Sequence, residues 1–188
     1  MSRLICFILV LFVQSQLIFA QSVKWEDALH LDPKTILNLD CSGLKWDSLP
    51  PALYRFTELK ELNLAKNKLK VIPSDFCTLK QLEKLDLGRN KFENFPLVVC
   101  QLPKLKVLHL DRNQITLLPL QIADLQELEY LDLYANGIEQ FGEGLFSLPK
   151  LRTLNIEGVM YGTVFAKQLL ERLPQTKVLI DPPCKCLD

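Results

Sequence analysis

The chain has 188 residues, of which 48% are hydrophobic, and its 22 basic and 22 acidic residues give a formal net charge of zero. This length is sufficient for one domain with a substantial apolar core. Charges of both signs are interspersed without a basic run, which argues against nucleic acid or an anionic membrane as a partner.

The N-terminal segment resembles a secretory signal peptide. Arg3 is followed by the apolar run Leu4–Val13, and the small residue Ala20 stands at the expected cleavage position. A membrane anchor is the alternative, but a spanning helix needs about 20 apolar residues, and Gln14 interrupts this run. We therefore expect residues 1–20 to be cleaved, the protein to be secreted, periplasmic or at the cell surface, and the mature chain to have no membrane span.

The segment that follows is expected to form an N-terminal cap over residues 21–34. Trp25 and Leu29 are four residues apart and share one face of a short helix. An amphipathic cap of this kind covers the open end of a structure built from stacked repeats. About six such repeats are expected over residues 35–163.

The repeats are visible as residues that recur every 23 positions. Three series are apolar: Leu59, Leu82, Leu105, Leu128 and Leu151; Leu62, Leu85, Leu108, Leu131 and Leu154; and Leu64, Leu87, Leu110, Leu133 and Ile156. A fourth series is Asn67, Asn90, Asn113 and Asn136. The resulting pattern, L-x-x-L-x-L-x-x-N, is typical of a solenoid, in which no unit can bury its apolar face alone.

Each unit predicts a strand followed by a turn. In x-L-x-L-x the leucines point to one side of a short strand. Ile72–Pro73 then marks the turn to the convex side, and the spacing of Phe76 and Leu79 favours a 3₁₀ or single helical turn that faces the core. The asparagines are expected to satisfy backbone groups of neighbouring coils where the strands end. They are therefore predicted to form a structural ladder and not a binding site.

The first and last units depart from the pattern, as terminal repeats do. Counted from Leu37 to Leu62, the first unit is 25 residues long, and Ser42 replaces its asparagine. In the sixth unit, Val159 replaces the asparagine.

The C-terminal part predicts a closing helix and strand. Apolar residues follow helical spacing from Val164 to Leu173. Lys177–Ile180 predicts an edge strand, which the following prolines terminate. Residues 164–181 are therefore expected to form a C-terminal cap, and residues 182–188 a frayed tail.

These units resemble the 23-residue leucine-rich repeats with Leu-Pro ends of Shoc2-like proteins, a type that many secreted or periplasmic bacterial proteins share. The units that carry the resemblance are Leu59–Pro73, Leu82–Pro96 and Leu105–Pro119. The lead Trp25–Leu29 and the closing segment Leu154–Gly158 are similar to those of secreted Bacteroidetes-type members.

The resemblance covers residues 25–180 and implies an α/β solenoid. The expected architecture is a right-handed superhelix with a curved parallel β-sheet on the concave side, short 3₁₀ or helical turns on the convex side, and helical caps at both ends. The resemblance further implies protein recognition and no catalytic residues.

The cysteines bear on the compartment and on pairing. Five follow the signal peptide, an odd number that cannot pair fully within the chain: Cys41, Cys77, Cys100, Cys184 and Cys186. The segment from Gln21 to Asp40 lacks the cysteines that cap extracellular animal repeats, and no N-x-S/T sequon occurs. Both absences favour a bacterial periplasm or surface. We expect Cys41 in the core and Cys77 and Cys100 as unpaired packing residues, with a disulfide as the alternative if their Cα atoms lie within about 6.8 Å.

The strand positions that are not leucine face the concave side, where equal positions of neighbouring repeats lie about 4.8 Å apart. Three rows result, and their first-repeat members are predicted to be Ile36, Asn38 and Asp40. Repeats four and five combine carboxylates, a histidine and tyrosines, which are enriched at binding hot spots. The predicted ligand-binding residues are Asp86, Val107, His109, Asp111, Tyr130, Asp132 and Tyr134. They suit a basic, or apolar and basic, peptide, whereas an ordinary solvated sheet face is the alternative.

One row has a further chemical interpretation. Asp86, His109 and Asp132 lie on consecutive strands, and such a set can ligate a metal or act as an acid–base trio. An open surface provides no second layer of supporting groups. We therefore expect a solvated histidine flanked by carboxylates, with a raised pKa if it feels both acids, and we predict neither a metal nor another cofactor.

Three classes of function compete. We expect a non-enzymatic, monomeric, secreted module that binds a protein or peptide ligand on the concave sheet through repeats three to five. A structural or envelope-associated protein that self-associates through the edge after Ile180 is the alternative. An enzyme is the weakest hypothesis. The sequence has only two histidines, and it shows no nucleophile with a base nearby, no phosphate-binding loop and no insertion that could form a pocket.

Overall fold

The computed structural model describes residues 22–182, so the predicted signal peptide and the predicted tail after Pro182 lie outside the described residues. Helices α1 (Trp25–Ala28) and α2 (Thr163–Arg172) lie near the two ends. The strands are β1 (Val23–Lys24), β2 (Asn38–Asp40), β3 (Glu61–Asn63), β4 (Lys84–Asp86), β5 (Val107–His109), β6 (Leu117–Leu118), β7 (Tyr130–Asp132), β8 (Gln140–Phe141), β9 (Thr153–Asn155) and β10 (Lys177–Leu179).

Most of these strands form one parallel sheet, in the order β1-β2-β3-β4-β5-β7-β9-β10, and β6 pairs with β8 in a second sheet. The register places one leucine of each repeat at the same level, and none of these is more than 1% exposed: Leu39, Leu62, Leu85, Leu108, Leu131 and Leu154. The predicted solenoid, with its parallel sheet, 3₁₀ turns and helical caps, is confirmed.

The first repeat is 23 residues long, so the predicted length of 25 is wrong. Leu39, and not Leu37, pairs with Leu62 in the sheet. The segment from Ile36 to Leu39 fits the leucine pattern in two registers. Leu39 occupies a core position in either register, but only the register adopted buries Ile36, which is 3% exposed and would otherwise lie in a concave row. It also places Cys41, which is 0% exposed, at the third leucine position.

Two further assignments change with that register. Trp46 donates its backbone N–H to Asn67, just as Leu69 does to Asn90. Leu44, and not Ser42, therefore occupies the asparagine position of the first repeat. The concave rows consequently begin with Asn38, Asp40 and Ser42, and not with Ile36, Asn38 and Asp40.

One buried asparagine per regular repeat connects neighbouring coils. Asn90 is 7% exposed, and its Nδ2 donates to the carbonyl oxygens of Leu64 and Leu87 at 3.0 Å. Its Oδ1 accepts the N–H of Leu69 at 3.1 Å. The equivalent bonds are made by Asn67, Asn113 and Asn136. Each side chain thus satisfies backbone groups of two coils at the point where their strands end.

Short 3₁₀ turns cover the other side of the core: Pro33–Thr35, Pro51–Arg55, Ser74–Thr78, Leu97–Gln101, Leu120–Asp124 and Glu143–Ser147. Each of the five longer turns contributes a side chain that is 0% exposed: Leu53, Phe76, Val99, Ile122 and Leu145. The last two turns approach so closely that Gly144 has no room for a side chain. A Cβ there would lie 2.0 Å from the carbonyl oxygen of Leu120.

Helix α1 covers the first coil. The ring of Trp25 packs edge-on against Trp46, with 5.0 Å between their centroids. The predicted packing face of Trp25 and Leu29 is wrong, because the helix ends at Ala28 and Leu29 is 45% exposed. Ala28 is 1% exposed and supplies the buried contact instead.

Helix α2 and strand β10 close the opposite end. Ala166 and Leu169 of α2 are buried, whereas Val164 and Leu170 are 65% and 55% exposed. The face of α2 that packs on the core therefore includes fewer of its apolar residues than the helical spacing predicted. Among residues 22–182, neither helix is long and apolar enough to cross a bilayer.

Replacing Asn90 by alanine should lower the free energy of unfolding by about 1–3 kcal/mol, because the buried N–H of Leu69 loses its acceptor and the carbonyls of Leu64 and Leu87 each lose one of their two amide donors. Asn94→Ala is the matched control, since Asn94 is exposed in the same repeat, and its effect should stay within about 0.5 kcal/mol. Chemical denaturation followed by circular dichroism measures both. Equal stability of the two variants would contradict a structural role for the asparagine ladder.

Candidate functional site on the concave sheet

The predicted ligand-binding residues lie together on the concave side of the sheet. They form three rows across β4, β5 and β7: Val107 with Tyr130; Asp86 with His109 and Asp132; and Asp111 with Tyr134. All of them are half-buried. The tyrosines are thus partly accessible, as a ligand-binding role requires. We call this set the concave patch.

His109, Tyr130 and Asp132 form a contact cluster within the concave patch. The Nδ1 of His109 lies 3.6 Å from the Oδ2 of Asp132, and the hydroxyl of Tyr130 donates to the same oxygen at 3.3 Å. The rings of His109 and Tyr130 lie 5.1 Å apart, measured between centroids. These contacts restrain Tyr130 before any ligand arrives, which reduces the conformational entropy lost on binding.

The row of Asp86 and Asp132 also has a structural role that the sequence analysis missed. A side-chain oxygen in this row accepts the backbone N–H two residues later, at 2.9–3.1 Å, in the pairs Asp40–Ser42, Asn63–Ala65, Asp86–Gly88, Asp132–Tyr134 and Asn155–Glu157. Such Asx turns end the strands. The recurrence of Asp or Asn at one repeat position was the available signal. His109 interrupts this row.

The electrostatics of the concave patch follow from these contacts. The nearby carboxylate of Asp132 raises the pKa of His109 most, burial opposes this effect, and the charges of Asp86 and Asp111 add to it. Burial, followed by the charges of Asp132 and Asp86, raises the pKa of Asp111. For Asp132, burial opposes ionisation, but the neighbouring imidazole of His109 and the hydrogen bond from the N–H of Tyr134 hold its pKa below the usual range.

Two neighbours shape the concave patch without having been predicted. Gly88 lies against Asp111, since a Cβ on Gly88 would come within 2.3 Å of the Oδ1 of Asp111. The guanidinium of Arg112 lies 5.4 Å from the ring centroid of Tyr134, a cation–π contact. The third strand row includes Gly88 directly before Asp111, so the signal for this close approach was available, whereas Arg112 lies one residue beyond the last row.

The structure groups a different metal-capable set from the row of Asp86, His109 and Asp132, for which the sequence predicted a solvated histidine and no metal. His109, Asp111 and Asp132 each present one ligand atom, and these atoms lie within 4.8 Å of one another. Asp86, of the predicted trio, is not part of this group. An imidazole and two carboxylates suit a divalent cation. They equally suit a protonated imidazole shared by two acids, and the contact of His109 with Asp132 corresponds to that arrangement.

Two depressions on the concave face lie over the earlier repeats. One of about 430 Å³ is lined by Leu37, Asn38, Lys60, Glu61, Glu83, Lys84, Lys106 and Val107. The other, of about 220 Å³, is lined by Ser22, Asn38, Leu39, Asp40, Glu61, Leu62, Asn63, Lys84 and Asp86. Only Val107 and Asp86 of the concave patch line either one. The tyrosines lie on the open sheet, which suits a macromolecular partner better than a small molecule.

Two of the three described thiols, those of Cys41 and Cys100, are poorly suited to nucleophilic chemistry. Cys41 and Cys100 are buried, and this burial raises the pKa of both. Cys77 and Cys100 are free thiols and do not form the disulfide that was the alternative in the sequence analysis.

The fold and the repeats are shared with known proteins. Residues 32–179 match the family model described as a leucine-rich repeat region. A leucine-rich repeat protein of Leptospira interrogans is 26% identical with a TM-score of 0.69, and the match covers 88% of this chain and 49% of that one. An internalin of Listeria monocytogenes is 18% identical with a TM-score of 0.62, with coverages of 79% and 44%.

A plant protein extends the comparison. The leucine-rich repeat ectodomain of the membrane receptor kinase GASSHO1/SCHENGEN3 from Arabidopsis thaliana, in complex with Casparian strip integrity factor 2, is 23% identical with a TM-score of 0.56, and the match covers 69% of this chain and 16% of that one. The chain spans less than half the length of each of these three proteins. A search of curated proteins returned no match.

The Shoc2-like, Bacteroidetes-type subtype is not tested by these comparisons and stays a prediction. Leucine-rich repeats in general commonly serve as protein-binding modules. Because the family model spans most of the chain and the sheet register follows its repeats, the protein belongs to the leucine-rich repeat family.

Proposed function

We propose that the chain is a non-enzymatic module that binds a protein or peptide with a basic segment on the concave sheet of repeats three to five. Leucine-rich repeats commonly bind proteins, and the plant receptor ectodomain is in complex with Casparian strip integrity factor 2. The signal-peptide resemblance of residues 1–20 supports an exported location, and we infer that the module acts as a monomer.

One observation carries the choice of a basic ligand. Within residues 22–182, none of the carboxylates of Asp86, Asp111 and Asp132 forms a salt bridge with a lysine or arginine, and the one imidazole among them lies against Asp132. Burial and the charges of Asp132 and Asp86 raise the pKa of Asp111, and the charges of His109 and Arg89 offset this only in part. A ligand cation placed beside these carboxylates therefore relieves repulsion that the free protein must bear.

The tyrosines supply the apolar part of the proposed contact. Tyr130 and Tyr134 are half-buried and lie in the two outer rows of one repeat, on either side of the row of Asp132. Arg112 over one ring and His109 against the other limit their motion. A restrained aromatic ring provides a large contact area at a small entropic cost.

Replacing Tyr130 and Tyr134 together by alanine should weaken ligand binding by at least about tenfold, a loss of about 1.4 kcal/mol. The free energy of unfolding should change by less than about 1 kcal/mol, because both side chains are only half-buried. Affinity capture from the native source with the mature protein identifies the ligand. Calorimetric titration with that ligand then measures the dissociation constants of the wild type and of the double variant.

The control for that experiment removes two exposed side chains elsewhere. Val71 is 70% and Leu120 is 62% exposed, and the Val71→Ala, Leu120→Ala variant should bind like the wild type. Unchanged binding by the tyrosine variant would refute the proposal that the concave patch is the binding site. Concentration-dependent oligomers in light scattering would favour the self-associating structural protein instead.

Basic-ligand affinity should rise as pH increases through the raised pKa of His109, because the patch then loses its one positive charge. Stability should change in the opposite direction. A raised folded-state pKa means that the imidazolium contributes stability below the unfolded value of about 6.5, and this contribution is lost as pH rises through the folded value.

Two variants isolate this effect. His109→Gln should flatten the pH dependence of affinity, and Asp132→Asn should lower the midpoint of His109 in an NMR titration. A wild-type midpoint at the free-peptide value of about 6.5 would exclude the coupling.

A further inference from the structure

A second concave region lies away from the sheet face, where the fifth repeat meets the C-terminal cap. This groove, called the terminal groove below, has a volume of about 670 Å³ and is lined by Asn136, Gly137, Ile138, Glu139, Phe141, Gly158, Met160, Tyr161, Gly162 and Phe165. Sites of about 300–1,000 Å³ can bury most of a small ligand or a few residues of a chain. No residue of the concave patch lines it.

The terminal groove exists because the asparagine ladder ends. The N–H of Ile115 donates to Asn136 at 3.1 Å, whereas the coil after Ile138 carries Val159, which has no oxygen in its side chain. Within residues 22–182, neither the N–H nor the C=O of Ile138 has a hydrogen-bond partner. Both groups belong to a residue that lines the groove and is 1% exposed. Buried backbone groups without partners are costly, so a ligand that satisfies them gains affinity.

The edge of β8 adds further backbone groups. Its pairing with β6 uses the N–H groups of Gln140 and Gly142, which donate to carbonyls of the preceding coil. Because alternate residues of a strand direct their N–H and C=O to opposite sides, Phe141 directs its own away from β6. The next coil offers no strand there, because Thr163 begins helix α2 at the equivalent position.

The side chains around these groups are apolar, with one charge. Phe141 and Phe165 stack with 4.4 Å between their centroids, and Met160 is 70% exposed at the rim. Glu139 is exposed, and within residues 22–182 it forms no salt bridge. The groove therefore offers an aromatic wall, a flexible methionine and one free carboxylate.

We propose that the terminal groove binds an extended peptide segment of alternating basic and apolar residues as an added strand on the free side of β8. The N–H and C=O groups of Ile138 and Phe141 pair with the peptide backbone. An apolar side chain of the peptide packs on Phe141, Phe165 and Met160, and a basic one pairs with Glu139. This site does not depend on the concave patch.

The test uses the mature protein and a capped, fluorescein-labelled pentapeptide that alternates lysine and phenylalanine. Fluorescence anisotropy should show saturable binding, and the amide signals of Ile138 and Phe141 should shift in NMR spectra of the complex. Glu139→Lys should weaken binding about tenfold, because attraction becomes repulsion. Glu93→Lys is the matched control, since Glu93 is exposed at the same repeat position two coils earlier, and it should bind within about twofold of the wild type.

Two altered peptides separate the components of the proposal. Replacing lysine by glutamate should abolish binding. N-methylation of alternate amides keeps the side chains but removes backbone donors, and it should weaken binding about tenfold if a strand is added. Equal affinity of the N-methylated peptide would overturn strand addition.

The same titration keeps the two binding proposals apart. The Tyr130→Ala, Tyr134→Ala variant should bind this peptide through the terminal groove as the wild type does. Binding that is lost in the tyrosine variant but kept in Glu139→Lys would assign the peptide to the concave patch and refute the terminal-groove site. Absence of saturable binding to the wild type would refute it as well. Thermal unfolding of each variant confirms that it is folded.

Discussion

The hydrogen bonds of one buried asparagine per repeat determine how the coils stack. Asn90 shows the arrangement: its amide reaches carbonyls of two coils, and its oxygen accepts an N–H of the preceding coil. These bonds fall where the strands end and the backbone would otherwise lose its partners. The leucine core supplies the driving force, but the asparagines set the register in which the coils share it. The same register aligns equal positions of neighbouring strands, and this alignment forms the concave rows.

The repeat period predicted most of the fold. Every regular leucine lies where its series placed it, because a 23-residue interval leaves one register that buries each series. The first repeat was misread because Ile36–Leu39 fits the leucine motif in two ways, and only packing decides between them. The caps were predicted as elements but not in detail. Leu29 and Leu170 are exposed, because an end of the solenoid contacts one neighbour only, and helical spacing cannot identify which face that neighbour covers.

The concave patch was less predictable than the fold. Register alone placed the row of Asp86, His109 and Asp132, but not the Asx turns that give its carboxylates a structural role. The guanidinium over Tyr134 depends on side-chain orientation, which a periodic pattern does not encode. The terminal groove results from a substitution that the sequence does show, Val159. Its consequence for Ile138 emerges only when neighbouring coils are placed side by side.

The account requires the asparagine ladder to protect each coil junction up to the fifth repeat and to stop there. Native-state hydrogen exchange measured by NMR tests this directly. The amides of Leu69, Phe92 and Ile115, which donate to Asn90, Asn113 and Asn136, should exchange only in large unfolding events. The amide of Ile138, which has no such acceptor, should exchange orders of magnitude faster. Equal protection of all four amides would contradict both the role given to the asparagines and the open backbone of the terminal groove.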